Sequence, residues 1–147
     1  MIQANELRIG NFIYKFGIDY IGDNPIVDRD NFEIIKVDID VLKNIEDFNG
    51  TTDFYYTEPI PLTEEILLKC GFQIRDKKYS LNYGGESMRF AILENDIRNP
   101  FILYFHGRFG FNLNEGRKNG DYCIEYVNQL QNLYFALTNE ELTFNNL

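Results

Sequence analysis

The sequence predicts an α+β fold, a bent antiparallel sheet with about three short helices, in a single domain spanning residues 1–147. Three observations carry this reading. Two well-formed helix cassettes stand out: Pro59-Ile60-Pro61-Leu62-Thr63-Glu64-Glu65-Ile66-Leu67-Leu68-Lys69-Cys70-Gly71-Phe72, and Tyr126-Val127-Asn128-Gln129-Leu130-Gln131-Asn132-Leu133-Tyr134-Phe135-Ala136-Leu137-Thr138. Short alternating or aromatic runs, broken by Gly, Asn, Asp and Pro, read as antiparallel strands and their turns. At 147 residues the chain is close to the usual size of one domain, and folding at that length buries roughly 70% of the accessible surface in one core.

From Glu6 to Gly17 apolar and polar residues alternate, interrupted by a Gly10-Asn11 corner. Candidate strands follow at Ile18 to Ile21 and Phe32 to Val37, with Gly22 to Asn31, rich in Asp, Asn and Pro, expected as a loop long enough to move. Asp38 or Asp40 can accept a backbone N–H at the start of a helix running to about Asp47, which places Val41, Leu42, Ile45 and Phe48 at helical spacing. Asn49-Gly50 stops it. Asp53 to Thr57 reads as a strand, after which Pro59 and Pro61 impose an extended approach to the first cassette.

In that cassette Thr63 is the natural N-cap, Leu62 and Leu67 form a hydrophobic staple, and Glu64 and Glu65 oppose the positive end of the helix dipole. Gly71 takes a left-handed exit, leaving Ile66, Leu67 and Cys70 as the buried stripe under Phe72. The middle is a meander of Phe72 to Arg75, Lys78 to Tyr83, Met88 to Leu93 and Phe101 to Phe105, with turns at Asp76-Lys77, Gly84-Gly85 and Asn99-Pro100. A loop between Phe111 and Tyr122 leads to a last strand, Tyr122 to Val127. In the second cassette Asn128 and Gln131 have capping-box spacing, and Leu130, Leu133, Tyr134 and Leu137 make one apolar face, closed by Asn139 at the left-handed position.

The chain holds 13 Phe and 10 Tyr with no Trp, an aromatic-rich composition that reads mainly as core. Cys70 and Cys123 are far apart in apolar surroundings and show no metal spacing. The first residues lack a basic-then-apolar leader pattern, and no apolar run is long enough to span a membrane. A reduced, soluble, cytoplasmic protein is the expectation.

The formal charge is -9, and it is concentrated. From Asp19 to Glu65 there are 13 acidic residues against Arg29, Lys36 and Lys43, a local charge of -10. Such a stretch keeps a small protein in solution or meets a basic protein partner, one whose usual ligand is nucleic acid among them. Direct nucleic-acid binding by the whole chain is disfavoured, because affinity for phosphates comes mainly from Lys and Arg.

Asn5-Glu6-Leu7-Arg8-Ile9-Gly10-Asn11, the Pro-Ile-Pro-Leu-Thr-Glu-Glu helix start and the closing Leu-Gln-Asn-Leu-Tyr-Phe-Ala-Leu-Thr helix, in this order, resemble a family of small uncharacterised proteins of Bacteroidetes-type gut bacteria and their phages. The match covers about a quarter of the residues. Asn128 stands where a His is common in that family and Asn139 where a Gly is common, so Asn128 cannot serve as a proton shuttle. The resemblance implies a mobile-element or accessory, phage-related origin and carries over no substrate, cofactor or mechanism.

No catalytic arrangement emerges. His106 has Arg108 nearby but no orienting partner or nucleophile in the sequence, and reads as structural. Asp28-Arg29-Asp30-Asn31-Phe32-Glu33 begins like a calcium loop, yet Phe32 fills a ligand slot and Glu33 the Gly position. Asp38 and Asp40 could hold Mg²⁺ in an extended chain, which leaves a metal-dependent hydrolase as the least favoured reading; helix capping explains both more simply. Asp76-Lys77-Lys78 lacks the upstream acid of a nuclease site. No cofactor is implied. The leading expectation is a non-enzymatic protein-interaction module with an acidic contact face at Asp28, Asp30, Asp38 and Asp40. The alternative is weak nucleic-acid binding by the basic aromatic segment 77–118, through Lys77, Lys78, His106 and Arg108 with base stacking on its rings.

Overall fold

The computed structural model describes residues 6–48, 55–78, 87–94, 101–105, 111–113 and 123–145. Their elements are β1 (Phe12–Ile21), β2 (Asn24–Lys36), α1 (Ile39–Phe48), β3 (Tyr55–Pro59), α2 (Glu64–Lys69), β4 (Gln73–Lys78), β5 (Ser87–Leu93), β6 (Phe101–Phe105), β7 (Phe111–Asn112) and α3 (Val127–Thr138). The α+β class and the three helices are as the sequence predicts. The strands, expected in one bent sheet, pair as two antiparallel sheets, β2-β1-β3 and β4-β5-β6-β7. The chain groups into two compact units, Met1–Pro61 with Tyr126–Glu141 and Leu62–Glu125 with Leu142–Leu147.

In the first unit Gly10 turns the corner at φ +97° and its N–H donates to the Val37 carbonyl at 2.8 Å, while the Val37 N–H donates to Asn11 O at 2.7 Å. From Asn24 onward the loop expected between Gly22 and Asn31 is strand instead. Ile21 pairs with Asn24 across a two-residue turn, and Gly22 at φ +65° supplies the positive angle that such a hairpin needs at its first central position. Pro25 is tolerated because β2 is an edge strand, where a missing N–H breaks no sheet. The Asp- and Asn-rich composition that suggested a loop is absorbed in a bulge: Phe16 pairs with Phe32 and Gly17 with Asp28, leaving Arg29, Asp30 and Asn31 as surplus.

Strand parity divides this sheet into two faces. Ile13, paired with Ile35, packs with Val37, Ile45, Leu7, Val41 and Leu42 as the core under α1. Tyr14, Phe16, Phe32, Ile34 and Tyr56 share the opposite face. Asp38 caps α1, its Oδ1 accepting the N–H groups of Asp40 at 3.0 Å and Val41 at 2.9 Å. Asp40 therefore lies in the first turn rather than at the cap. β3 pairs with β1 from Tyr55↔Gly17 to Pro59↔Ile13, past the expected end at Thr57; Asp53 and Phe54 lie outside the described residues.

α3 departs from expectation at its start. Tyr126 bridges Pro61 and the Val127 N–H donates to Ile60 O at 2.9 Å, so the helix begins at Val127, with Tyr126 in the N-cap position and its N–H bonded to the Gln129 side chain at 3.2 Å. Asn128 and Gln131 do not form the cap; they are buried inside the helix. The apolar face shifts accordingly. Val127, Leu130, Gln131 and Tyr134 face inward, Leu133 is half-buried, and Leu137 is 60% exposed. Asn139 takes the left-handed conformation at φ +58° as expected.

In the second unit the first cassette forms as read. The Thr63 hydroxyl accepts the Ile66 N–H at 3.3 Å. At the other end the Phe72 N–H reaches Leu67 O at 3.0 Å and the Gly71 N–H reaches Leu68 O at 2.9 Å, a Schellman closure around Gly71 at φ +86°. Ile66, Leu67, Cys70 and Phe72 are buried. Asp76-Lys77 is not a turn: β4 continues through it, pairing Asp76 with Arg89 and Lys77 with Met88. The opposite charges of Asp76 and Arg89, facing across the ladder, suit continued pairing. No strand runs from Tyr122 to Val127 among the described residues, where Ile124 makes only an isolated bridge to Phe111. Asn49-Gly50, residues 79–83, Gly84-Gly85, Asn99-Pro100 and the loop residues 114–120 lie outside the described residues, as do His106 and Arg108.

Candidate functional site

The face of the first sheet turned away from α1 gathers the most distinctive chemistry of the described residues. β1 contributes Tyr14 and Phe16, β2 contributes Phe32 and β3 contributes Tyr56, on one side because direct partners across an antiparallel ladder point the same way. Their rings form a connected cluster: Tyr14 to Phe32 at 4.9 Å in edge geometry, Tyr14 to Phe16 at 5.7 Å, Phe16 to Phe32 at 6.0 Å and Phe16 to Tyr56 at 6.5 Å. Beyond the bulge the same face continues along the hairpin through Ile18, Tyr20, Pro25 and Val27. Phe32 is 51% exposed and Tyr20 56%, whereas Phe16 is 6% exposed beneath its neighbours.

What helps cover Phe16 is a cation. The bulge carries Arg29 over the sheet, with its guanidinium 5.7 Å from the Phe16 ring centroid. Both terminal nitrogens donate to the Glu58 carboxylate, at 2.8 and 2.7 Å, in the parallel-fork geometry that a guanidinium makes and an ammonium does not. The hydrogen bonds from Arg29 hold the Glu58 carboxyl below its usual range. Burial pushes the Tyr56 phenol up, with the Glu58 charge adding to it. The arrangement seats the Arg29 guanidinium between an aromatic ring and a carboxylate.

The residues predicted from sequence fall around this face unevenly. Asp28 and Asp30 flank Arg29 in the bulge, where Asp28 Oδ1 accepts the Asp30 N–H at 3.1 Å. Asp38 and Asp40 lie beyond the C-terminal end of β2, at the start of α1, and Asp38 is engaged as the cap. The four carboxylates thus form two separate pairs rather than one cluster. Lys77 is exposed on β4 in the other unit, Lys78 ends that strand, and His106 and Arg108 lie outside the described residues. Among the described residues no three His, Cys, Asp or Glu side chains gather to hold a metal, and no helix is long and apolar enough to cross a membrane.

Phe16, Phe32, Tyr56, Arg29 and Glu58 were not singled out from sequence. Of these only Phe16 carries a signal in the sequence, the period-two run Tyr14, Phe16, Ile18, Tyr20, which makes the face opposite Ile13 apolar as well.

The opening Leu-Arg-Ile-Gly-Asn motif has a structural task instead. Arg8 donates to the Glu141 carboxylate at 2.6 and 2.8 Å and lies 4.3 Å over the Phe135 ring. Asn11 bonds Asn132 at 3.0 Å, and Asn128 and Asn132 both donate to Glu6 O at 3.2 Å. Gln131 bridges the corner, accepting the Phe12 N–H at 2.9 Å and donating to Gly10 O at 3.2 Å. First and last segments of the resemblance are therefore one clamp.

Comparison with known protein families, characterised proteins and solved structures finds no match to this chain.

Proposed function

We propose that this protein is a non-enzymatic interaction module whose aromatic and acidic sheet face receives a basic segment of a protein partner. The observation that carries the reading is the seat built from Phe16, Tyr56 and Glu58, which holds a guanidinium by ring contact and a two-pronged ion pair. Asp28 and Asp30 beside it, and the charge of -10 from Asp19 to Glu65, would draw a cationic segment towards it. Free thiols at Cys70 and Cys123 are in keeping with a cytoplasmic setting, and the sequence resemblance with an accessory role of mobile-element origin.

The test is titration of the protein with a basic peptide, an acidic peptide and a single-stranded oligonucleotide at two salt concentrations. Only the basic peptide should bind, more weakly at high salt, and Asp28→Asn with Asp30→Asn should weaken it without changing the melting temperature, since Asn preserves the turn at the bulge. Binding of the oligonucleotide alone would sink this reading in favour of a nucleic-acid module.

A further inference from the structure

We propose that Arg29 is an internal occupant of the seat on the sheet, displaced by an arginine of the partner, so that the hairpin bulge regulates the site as well as shaping it. This rests on the basic-partner reading above.

Three features of the hairpin argue for it. The β1–β2 register is regular on either side of a single three-residue surplus, Arg29 to Asn31, and that surplus is what carries Arg29 across the ladder onto Phe16. The contact is not a buried structural ion pair. The Arg29 side chain is 64% exposed and that of Glu58 22%, and Arg29 is anchored by the Glu58 carboxylate and the Phe16 ring. A pair whose cation stands this far in solvent contributes modestly to folding and is open to competing cations. The seat is also selective in shape: two parallel N–H to oxygen bonds at 2.8 and 2.7 Å fit a planar fork, and an ammonium engages one oxygen at a time.

From these it follows that the partner group is a guanidinium and that its apparent affinity is reduced by the fraction of time Arg29 fills the seat. If Arg29 occupies it about nine-tenths of the time, the apparent dissociation constant is raised about tenfold. The charge of Arg29 also repels an incoming cation, and that effect must be separated from displacement.

The probe is a fluorescein-labelled peptide carrying three arginines in a Gly/Ser background, with a lysine counterpart of equal length and charge, titrated by anisotropy against the wild type, Arg29→Lys, Arg29→Gln and Glu58→Gln. Arg29→Lys keeps the charge and loses the fork. Displacement predicts that Arg29→Lys and Arg29→Gln both bind the arginine peptide at least threefold tighter than wild type, that the lysine peptide gains less, and that Glu58→Gln weakens the arginine peptide. Unchanged or weaker binding by Arg29→Lys overturns the inference. If Arg29→Gln alone is tighter, the effect is charge only; the displacement account falls while the basic-partner reading stands. Failure of every form to bind either peptide overturns both.

Discussion

Replacing Gln131 by Leu isolates the clamp between the opening motif and α3. Gln131 is buried, and its amide satisfies two backbone groups of the corner at once, the Phe12 N–H at 2.9 Å and Gly10 O at 3.2 Å. Leu has similar bulk, so the change removes both hydrogen bonds without opening a large cavity. Each buried backbone group left unpaired costs about 1 to 3 kcal/mol. Against that, the larger apolar surface of Leu offsets about 1 to 2 kcal/mol. Two such groups together cost about 2 to 6 kcal/mol, so the net expectation is a loss of about 0 to 5 kcal/mol, centred on about 2.5 kcal/mol. Urea denaturation followed by far-UV circular dichroism reads it directly, because a slope of about 1 to 3 kcal/mol per molar converts the loss into a midpoint lowered by roughly 1 M. A raised midpoint would refute the assignment of Gln131 as the joint, and with it the structural explanation of the opening motif.

Other consequences can be checked with the same material. Leu130→Ala, at a fully buried site, should cost about 2 to 5 kcal/mol, and Leu137→Ala, at a largely exposed one, no more than about 0.5 kcal/mol, by the same denaturation; equal losses would restore the helix face that contains Leu137. Burial pushes the Cys70 thiol up to about 12, so a thiol-reactive dye at pH 8 should label Cys123 and spare Cys70 until the protein unfolds, as read by peptide mass; rapid native labelling of Cys70 would contradict its burial. Hydrogen bonds from Arg29 and Arg8 hold the Glu58 and Glu141 carboxyls below their usual range. Their contributions to stability are therefore present above the ordinary carboxylate range and are lost as pH falls through the lowered native values. The stability difference between wild type and Glu58→Gln should accordingly shrink on acidification, and a pH-independent difference would contradict the pairing.

The first cassette was legible because every signal in it is local. Thr63, Glu64, Glu65 and Gly71 act within one turn of where they stand, and all do what their positions imply. The second misled for a tertiary reason. Its capping-box spacing is genuine, but the bridge from Tyr126 to Pro61 and the bond from Val127 to Ile60 start the helix earlier and turn Asn128 and Gln131 inward. Composition misled in the hairpin, where Gly22 to Asn31 has the residues of a loop but folds through one tight turn and one bulge, an outcome decided by pairing with β1. The candidate face was hidden for the same reason. Arg29 and Glu58 are 29 residues apart and meet only because β2 and β3 flank β1. The acidic carboxylates stood out as a charge excess and the capping role of Asp38 was legible from its place before the helix, yet nothing local revealed that the aromatic rings share one face.

The most direct test of the central claim is nuclear magnetic resonance mapping of the arginine peptide on the protein labelled at its aromatic rings and backbone. The account predicts that the largest shifts cluster on Phe16, Phe32, Tyr56 and Glu58, with Arg29 changing its environment as the seat fills. Shifts confined to other surfaces, or none at saturating peptide, would contradict it.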